Sequence, residues 1–328
     1  MLKITNSTRL LSAAAFMVLT ATTATAQTAT AFPSKPVRVI VPYPAGGGIA
    51  TVGQILSPKL NQDTGQNFIF DSRPGGNTII GTQAAVRSTP DGYTLLAVSN
   101  TLAVNQWTQT NLPYDTLRDL VAISTFVGDR DVVAVHASLP ANNLKEFIAH
   151  ARQNPGKLNA RIAAGTISHV LMLMLMEATG TKFTMVSYKG TGAAIADMLS
   201  GAVHLSLTSP ANIIPHINTG KLKGMAVSGN KRSPALPDVP TLTESGLRDL
   251  PTGWFMLLAP AATPRDIVEK MNSHVGRALT SKDVQESLAK AGFEVFANSV
   301  AATNALLRSD LESFGKVVKE HNVKAEDG

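Results

Sequence analysis

The chain has 328 residues, 44% hydrophobic and 16% charged, a balance that supports a sizeable folded core and excludes a disordered polymer. Its formal charge of +6 comes from basic residues that are scattered rather than clustered with aromatics, which argues against nucleic acid as a partner. It contains no cysteine, so stability must come from packing and not from disulfides.

Residues 1–26 have the three parts of a secretory signal. Lys3 and Arg9 supply the basic start, residues 10–21 the apolar stretch, and Ala24-Thr25-Ala26 the small-residue cleavage site. Ala29-Thr30-Ala31 offers a second cut a few residues on. The apolar stretch falls short of the roughly 20 residues of a membrane span, and with no cysteine a lipid-modified N-terminus is excluded. Export of the mature chain is therefore expected. Without the signal, 27 basic residues face 23 acidic ones, a mild excess.

Beyond the signal, short β-branched runs alternate with helical patterns. Strands are expected at 37–41, 67–70 and 94–98, with helices at 49–61 and 79–87 between them. The alternation resumes with a strand at 132–136, a helix at about 143–153 capped by Asn142 or Asn143, and a strand at 159–163. A long helix over 168–179 follows, then a strand at 184–186, a helix at 193–200 and strands at 203–207 and 223–227. Residues 230–240, rich in Pro, Ser and Asp, read as a surface loop. A strand at 254–258 and helices at 265–280, 282–291 and 301–321 complete the chain. This is βαβ rhythm, which argues for parallel, helix-covered sheets. The apolar segments 121–135 and 254–258 are candidates for strands crossing between two lobes.

The pattern Val37-Arg38-Val39-Ile40-Val41-Pro42-Tyr43-Pro44-Ala45-Gly46-Gly47-Gly48 runs a strand through a glycine turn into a helix, which bares backbone N–H groups at a positively polarised helix end. It is neither a dinucleotide fingerprint, whose third glycine would fall at Thr51, nor a P-loop. Ala164-Gly165-Thr166-Ile167-Ser168-His169 is a second helix start able to offer free N–H groups, although a plain N-cap explains it equally well. Ser99-Asn100-Thr101, at a strand end, gives three polar side chains in a row. Lys189, in Tyr188-Lys189-Gly190-Thr191-Gly192, is a turn residue or a loop cation for an anion. The seven histidines have no metal-ligand spacing and no nucleophile elbow is present, so neither a metal, a cofactor nor catalysis is expected. The Leu171-Met172-Leu173-Met174-Leu175-Met176 run reads as a helix covered on two sides.

Taken in order, several segments resemble the Bug family, the periplasmic receptors of tripartite tricarboxylate transporters (TTT). The carriers are the 36–47 segment, Ser72-Arg73-Pro74-Gly75-Gly76-Asn77, Pro90-Asp91-Gly92-Tyr93-Thr94-Leu95-Leu96, Leu112-Pro113-Tyr114-Asp115, Tyr188-Lys189-Gly190, Pro215-His216-Ile217, the 232–241 segment and Leu258-Ala259-Pro260-Ala261. The resemblance implies an α/β, two-lobed type II periplasmic-binding fold, each lobe a mostly parallel helix-covered sheet, that closes like a flytrap. It implies one lobe from residues 32–131 plus 251–328, the other from 132–250, and a monomer that delivers a small carboxylate to a TTT permease. The ligand would be held by Tyr43, Ala45, Gly46 and Gly47, by Ser99, Asn100 and Thr101, by Thr166, Ile167, Ser168 and His169, and by Lys189, Thr208 and Ser209. Many relatives have an aspartate where this chain has Ala50, and another where it has Thr208. Fewer acids disfavour a ligand ammonium and leave an aromatic or aliphatic acid, including a dicarboxylate such as terephthalate or a four- to six-carbon diacid. Arg161 or Lys189 is placed to meet a second carboxylate, with plain surface exposure an equal account of either. A periplasmic sensor subunit and, less well supported, an exported enzyme are the competing functions.

Overall fold

The structure is a computed structural model and describes residues 32–188, 191–229 and 231–324, so the signal segment and Lys189 lie outside the described residues. The first part of the chain forms β1 (Val37–Val41), α1 (Gly48–Thr64), β2 (Phe68–Ser72), α2 (Ile79–Val86), β3 (Thr94–Ser99), α3 (Thr101–Thr108), α4 (Thr116–Asp119) and β4 (Leu120–Asp129). The middle part forms β5 (Val132–His136), α5 (Leu144–Gln153), β6 (Asn159–Ile162), α6 (Ile167–Thr179), β7 (Thr184–Ser187), α7 (Thr191–Ser200), β8 (Leu205–Thr208), α8 (Pro210–Asn218) and β9 (Leu222–Val227). The last part forms β10 (Gly253–Pro260), α9 (Arg265–Thr280), α10 (Lys282–Lys290), β11 (Glu294–Val295) and α11 (Val300–Glu320).

Two sheets result. The first has the order β11-β4-β10-β3-β1-β2 and the second β7-β6-β8-β5-β9. The chain passes from the first to the second through residues 130–131 and returns through residues 228–252. The fold is two-lobed α/β, but both sheets are mixed, because β10 runs antiparallel to β3 and β4, and β5 antiparallel to β8 and β9. Thus 254–258 belongs to a strand within the first sheet and is not a crossing strand.

Alternation on the strands builds the layers. On β10, Leu257 and Ala259 join the cluster under α1 and α9, while Trp254, Met256 and Leu258 join the one under α3 and α11. The apolar α6 also has two partners: Leu171, Met172 and Leu175 enter the core of the second sheet, and Val170 and Leu173 pack with Leu307, Leu311 and Phe314 of α11. That double cover accounts for a helix with no polar stripe. At α5, Asn143 is the cap, its side chain accepting from Glu146 N–H at 2.9 Å while Glu146 accepts from Asn142 N–H at 2.8 Å, a reciprocal pair.

Three helices have no counterpart in the sequence pattern: α3, the one-turn α4 and α8. The α3 segment contains β-branched and amide residues that favour helix weakly, and burial of Leu102, Ala103 and Val104 imposes the conformation. In α8, Pro210 and Pro215 read as breakers, yet Pro210 occupies the first helical turn, where its missing N–H costs nothing.

Candidate functional site

The glycine turn opens a cavity of about 390 Å³ bounded by Tyr43, residues 44–48, Ile49, Ser99 and Phe255. Each glycine is there for a different reason. Gly46 has φ +84°, a left-handed conformation that favours glycine. At Gly48 a Cβ would lie 2.9 Å from the Phe255 ring. Gly47 has an ordinary φ of −75°, and a Cβ there would meet only the Pro44 carbonyl oxygen, at 3.5 Å. Among the described residues nothing requires glycine at 47.

Gly47 caps α1, and the first helical bond runs from Thr51 N–H to Gly47 C=O at 3.0 Å. The N–H groups before Thr51 therefore have no intrahelical acceptor. No side chain caps them and the first turn carries no acid, so an anion in the cavity would meet bare donors at the positive end of the helix.

Behind the turn lies a chain of hydroxyls. Tyr43 Oη is 2.7 Å from Ser99 Oγ and accepts from Ser99 N–H at 3.1 Å, and Ser99 Oγ is 3.1 Å from Thr101 Oγ1. The Ser72 hydroxyl donates to the Tyr43 carbonyl. Burial raises the Tyr43 phenol above its ordinary value, so it stays a neutral donor. Asn100 serves a different purpose. It is 2% exposed, its side-chain carbonyl accepts from Trp254 N–H at 2.8 Å, and its amide donates to Thr252 C=O at 3.3 Å. It ties the end of β3 to the returning strand and takes no part in the cavity wall. Asp310 sits beneath, accepting from Trp254 Nε1 at 2.6 Å, and burial lifts its carboxyl to about 6.

The second helix start is braced differently. Thr166 Oγ1 donates to Ala163 C=O at 2.7 Å, Ser168 Oγ accepts from Ala163 N–H at 2.9 Å, and His169 Nδ1 accepts from Gly165 N–H at 3.3 Å. Thr166 is the N-cap residue, but its side chain makes no capping bond, and these side chains bind their own loop instead. Thr208, at the end of β8, accepts from Asn212 Nδ2 at 3.3 Å, with Ser209 next in line as the cap residue of α8.

Of the residues expected from sequence, the structure gathers Tyr43, Ala45, Gly46, Gly47 and Ser99 round one cavity. Thr166, Ile167, Ser168 and His169 lie at the start of α6, and Thr208 and Ser209 at the start of α8, all outside that cavity lining. β6, β7 and β8 are mutually parallel, so both helix starts stand on the carboxyl edge of the second sheet, where such sheets hold ligands. Sequence reasoning missed Phe255. The antiparallel register of β10 sets it opposite Ser99, and a strand read only as core gave no sign of that. It also missed the cluster Glu177, Glu320 and His321, which could hold a cation, because the pair at 2.5 Å, His321 Nε2 and Glu177 Oε1, is 144 residues apart in sequence. All three are exposed and lie outside the cavity lining.

Comparison with known proteins agrees with this architecture. Residues 52–323 match TctC, the tripartite tricarboxylate transporter family receptor. Protein BugT of Bordetella pertussis is 33% identical over 324 residues, covering 97% of this chain and 99% of BugT. An R. palustris protein solved with adipate superimposes with a TM-score of 0.77 at 26% identity, covering 89% of this chain and 99% of its own. MatC from Rhodopseudomonas palustris, solved with bound malate, gives 0.72 at 27% identity, covering 88% of this chain and all of MatC. With most of its length matched by that family and by a relative of this similarity, the chain belongs to the tripartite tricarboxylate transporter receptor family.

Proposed function

We propose that the protein is exported, captures a small carboxylate between two lobes, 32–131 plus 251–328 and 132–250, and hands it as a monomer to a TTT permease. The observation that carries this is Gly47, a glycine that no contact among the described residues requires, in the lining of a cavity at the uncapped start of α1. One ligand carboxylate occupies that turn, and the braced start of α6 supplies further N–H donors when the lobes approach. The two structural neighbours solved with adipate and malate support a carboxylate as the ligand class. Closure follows because the ligand gains donors from both lobes only in the closed form, and such differential affinity shifts the equilibrium.

The test is a thermal-shift screen of the mature chain against mono- and dicarboxylates. A cognate acid at 100 times its dissociation constant should add about 2.7 kcal/mol of apparent stability. Small-angle scattering with that acid should show a smaller radius. A panel in which no carboxylate raises the melting temperature overturns the proposal.

A further inference from the structure

Arg161 lies on β6 next to its carboxyl end, with Val186 of β7 and Ser206 of β8 opposite it. Its neighbours Ala160 and Ile162 point into the core beneath α5 and α6, so Arg161 stands on the other face, the one that carries Val132 and Ala134. That face meets the carboxyl edge beside Thr208 and the start of α8. The residue is half-buried, and its Nε is fully buried with no hydrogen-bond partner among the described residues. Burial works against the cation, and Asp131, in the connection between the sheets, offsets it only in part. A guanidinium cannot relieve that cost by losing its proton, and its planar fork suits a carboxylate that can take two parallel N–H bonds. A buried N–H without an acceptor is costly, and the cost is removed when one arrives.

We propose that Arg161 receives a second carboxylate of the ligand, so that this receptor selects a dicarboxylate over the matching monoacid. The inference rests on the carboxylate-binding function proposed above and adds the second charge to it. A ligand held at one end by backbone donors and at the other by a guanidinium is measured by length as well as by charge.

Calorimetry on the mature chain tests it, with succinate, adipate and terephthalate as probes, each beside its monomethyl ester. The wild type should bind at least one diacid about 30-fold or more tighter than the half-ester, the scale of losing one partner of a partly buried charge pair. Arg161→Met should bring that ratio to within about threefold by weakening the diacid alone, and Arg161→Lys should fall between. Circular dichroism checks the fold, and if the Met variant does not fold, the Lys variant and the wild-type ratio decide. A ratio unchanged in the variants, or near one in the wild type, overturns the role of Arg161 and leaves carboxylate binding standing. A wild type that binds none of the three diacids also overturns the role of Arg161, while the thermal-shift panel decides carboxylate binding itself.

Discussion

The two helix starts reach similar ends by opposite means. At α1 the turn is glycine and backbone, exposed, with no side-chain cap, and its shape comes from a left-handed Gly46 and from the Phe255 ring against Gly48. At α6 the loop is shaped by its own side chains, with Thr166, Ser168 and His169 each bonded back to residues 163–165. Under the proposed function the first turn carries its recognition in what is missing, and a Cβ at 47 would project into the space assigned to the ligand. The second would carry it in groups that shape the loop around its N–H donors, so removing one loosens a geometry instead of filling a cavity.

The sharpest way to break this comparison is Gly47→Val. Its backbone angles suit any residue and a Cβ there would make only an ordinary contact with the Pro44 carbonyl oxygen, so the variant should fold with an unchanged circular dichroism spectrum. Blocking access to two charged-ligand hydrogen bonds should cost about 4 kcal/mol, roughly a thousandfold in affinity. Calorimetry with the acid identified by the thermal-shift screen measures it. Wild-type affinity in a folded Gly47→Val chain would mean that no ligand approaches this turn.

This turn was legible in the sequence because glycines after a β-branched strand announce their geometry locally, and the helix start at 166–169 was legible from Gly165 and the capping residue types that follow it. What was not legible is what comes from register and distance. The antiparallel β10 puts Phe255 beside Ser99, and Asn100, read as a ligand-facing amide, is instead spent on Trp254 and Thr252, more than 150 residues away. Periodicity reports which face of an element is apolar, but not which partner strand lies alongside, and so the mixed sheets and the helices α3 and α8 emerged only from tertiary packing.

The two regions also differ in what lies behind them. Beneath the first turn, through Asn100 and Trp254, sits Asp310, whose carboxyl is lifted to about 6 by burial. The native state keeps this proton up to about pH 6, whereas the unfolded chain releases it near pH 4. Raising the pH between those values therefore costs the native state stability, and lowering it restores that stability. Asp310→Asn keeps an acceptor for the Trp254 indole and removes the charge. It should melt close to the wild type at pH 4.5 and be more stable by about 2 kcal/mol at pH 7. Urea unfolding at the two pH values checks this, and a constant difference between the proteins would show that Asp310 does not titrate in that window.

At the second start the corresponding change is Ser168→Ala. It removes the acceptor of Ala163 N–H and a neighbour of the Thr166 hydroxyl. A part-buried donor left without its partner costs about 1.5 kcal/mol. Unlike Gly47→Val, this loss should appear in the melting temperature of the free protein as well as in affinity, because the side chain holds the loop whether or not ligand is present. Equal melting temperatures for Ser168→Ala and wild type would erase the distinction between a shaped loop and a bare one.

The smallest effect is expected from the hydroxyl chain behind the glycine turn. Ser99→Ala removes one contact of Tyr43 Oη, yet the Ser99 backbone N–H still donates to that oxygen at 3.1 Å, so the phenol is not stranded. The cost should be about 1 kcal/mol in stability, and Tyr43→Phe should cost about the same. Because both variants break the same hydroxyl pair, the double variant should cost less than their sum, with a coupling of about 0.5 kcal/mol or more in a double-mutant cycle. The binding readout then separates support from contact. If Ser99 only holds Tyr43 behind the turn, affinity should fall in proportion to the loss of stability and in the same way for both variants. If Ser99 itself touches the ligand, Ser99→Ala should lose affinity that Tyr43→Phe keeps, and the wall opposite Phe255 would then recognise the ligand by side chain, making the first turn less purely a backbone device than its glycines suggest.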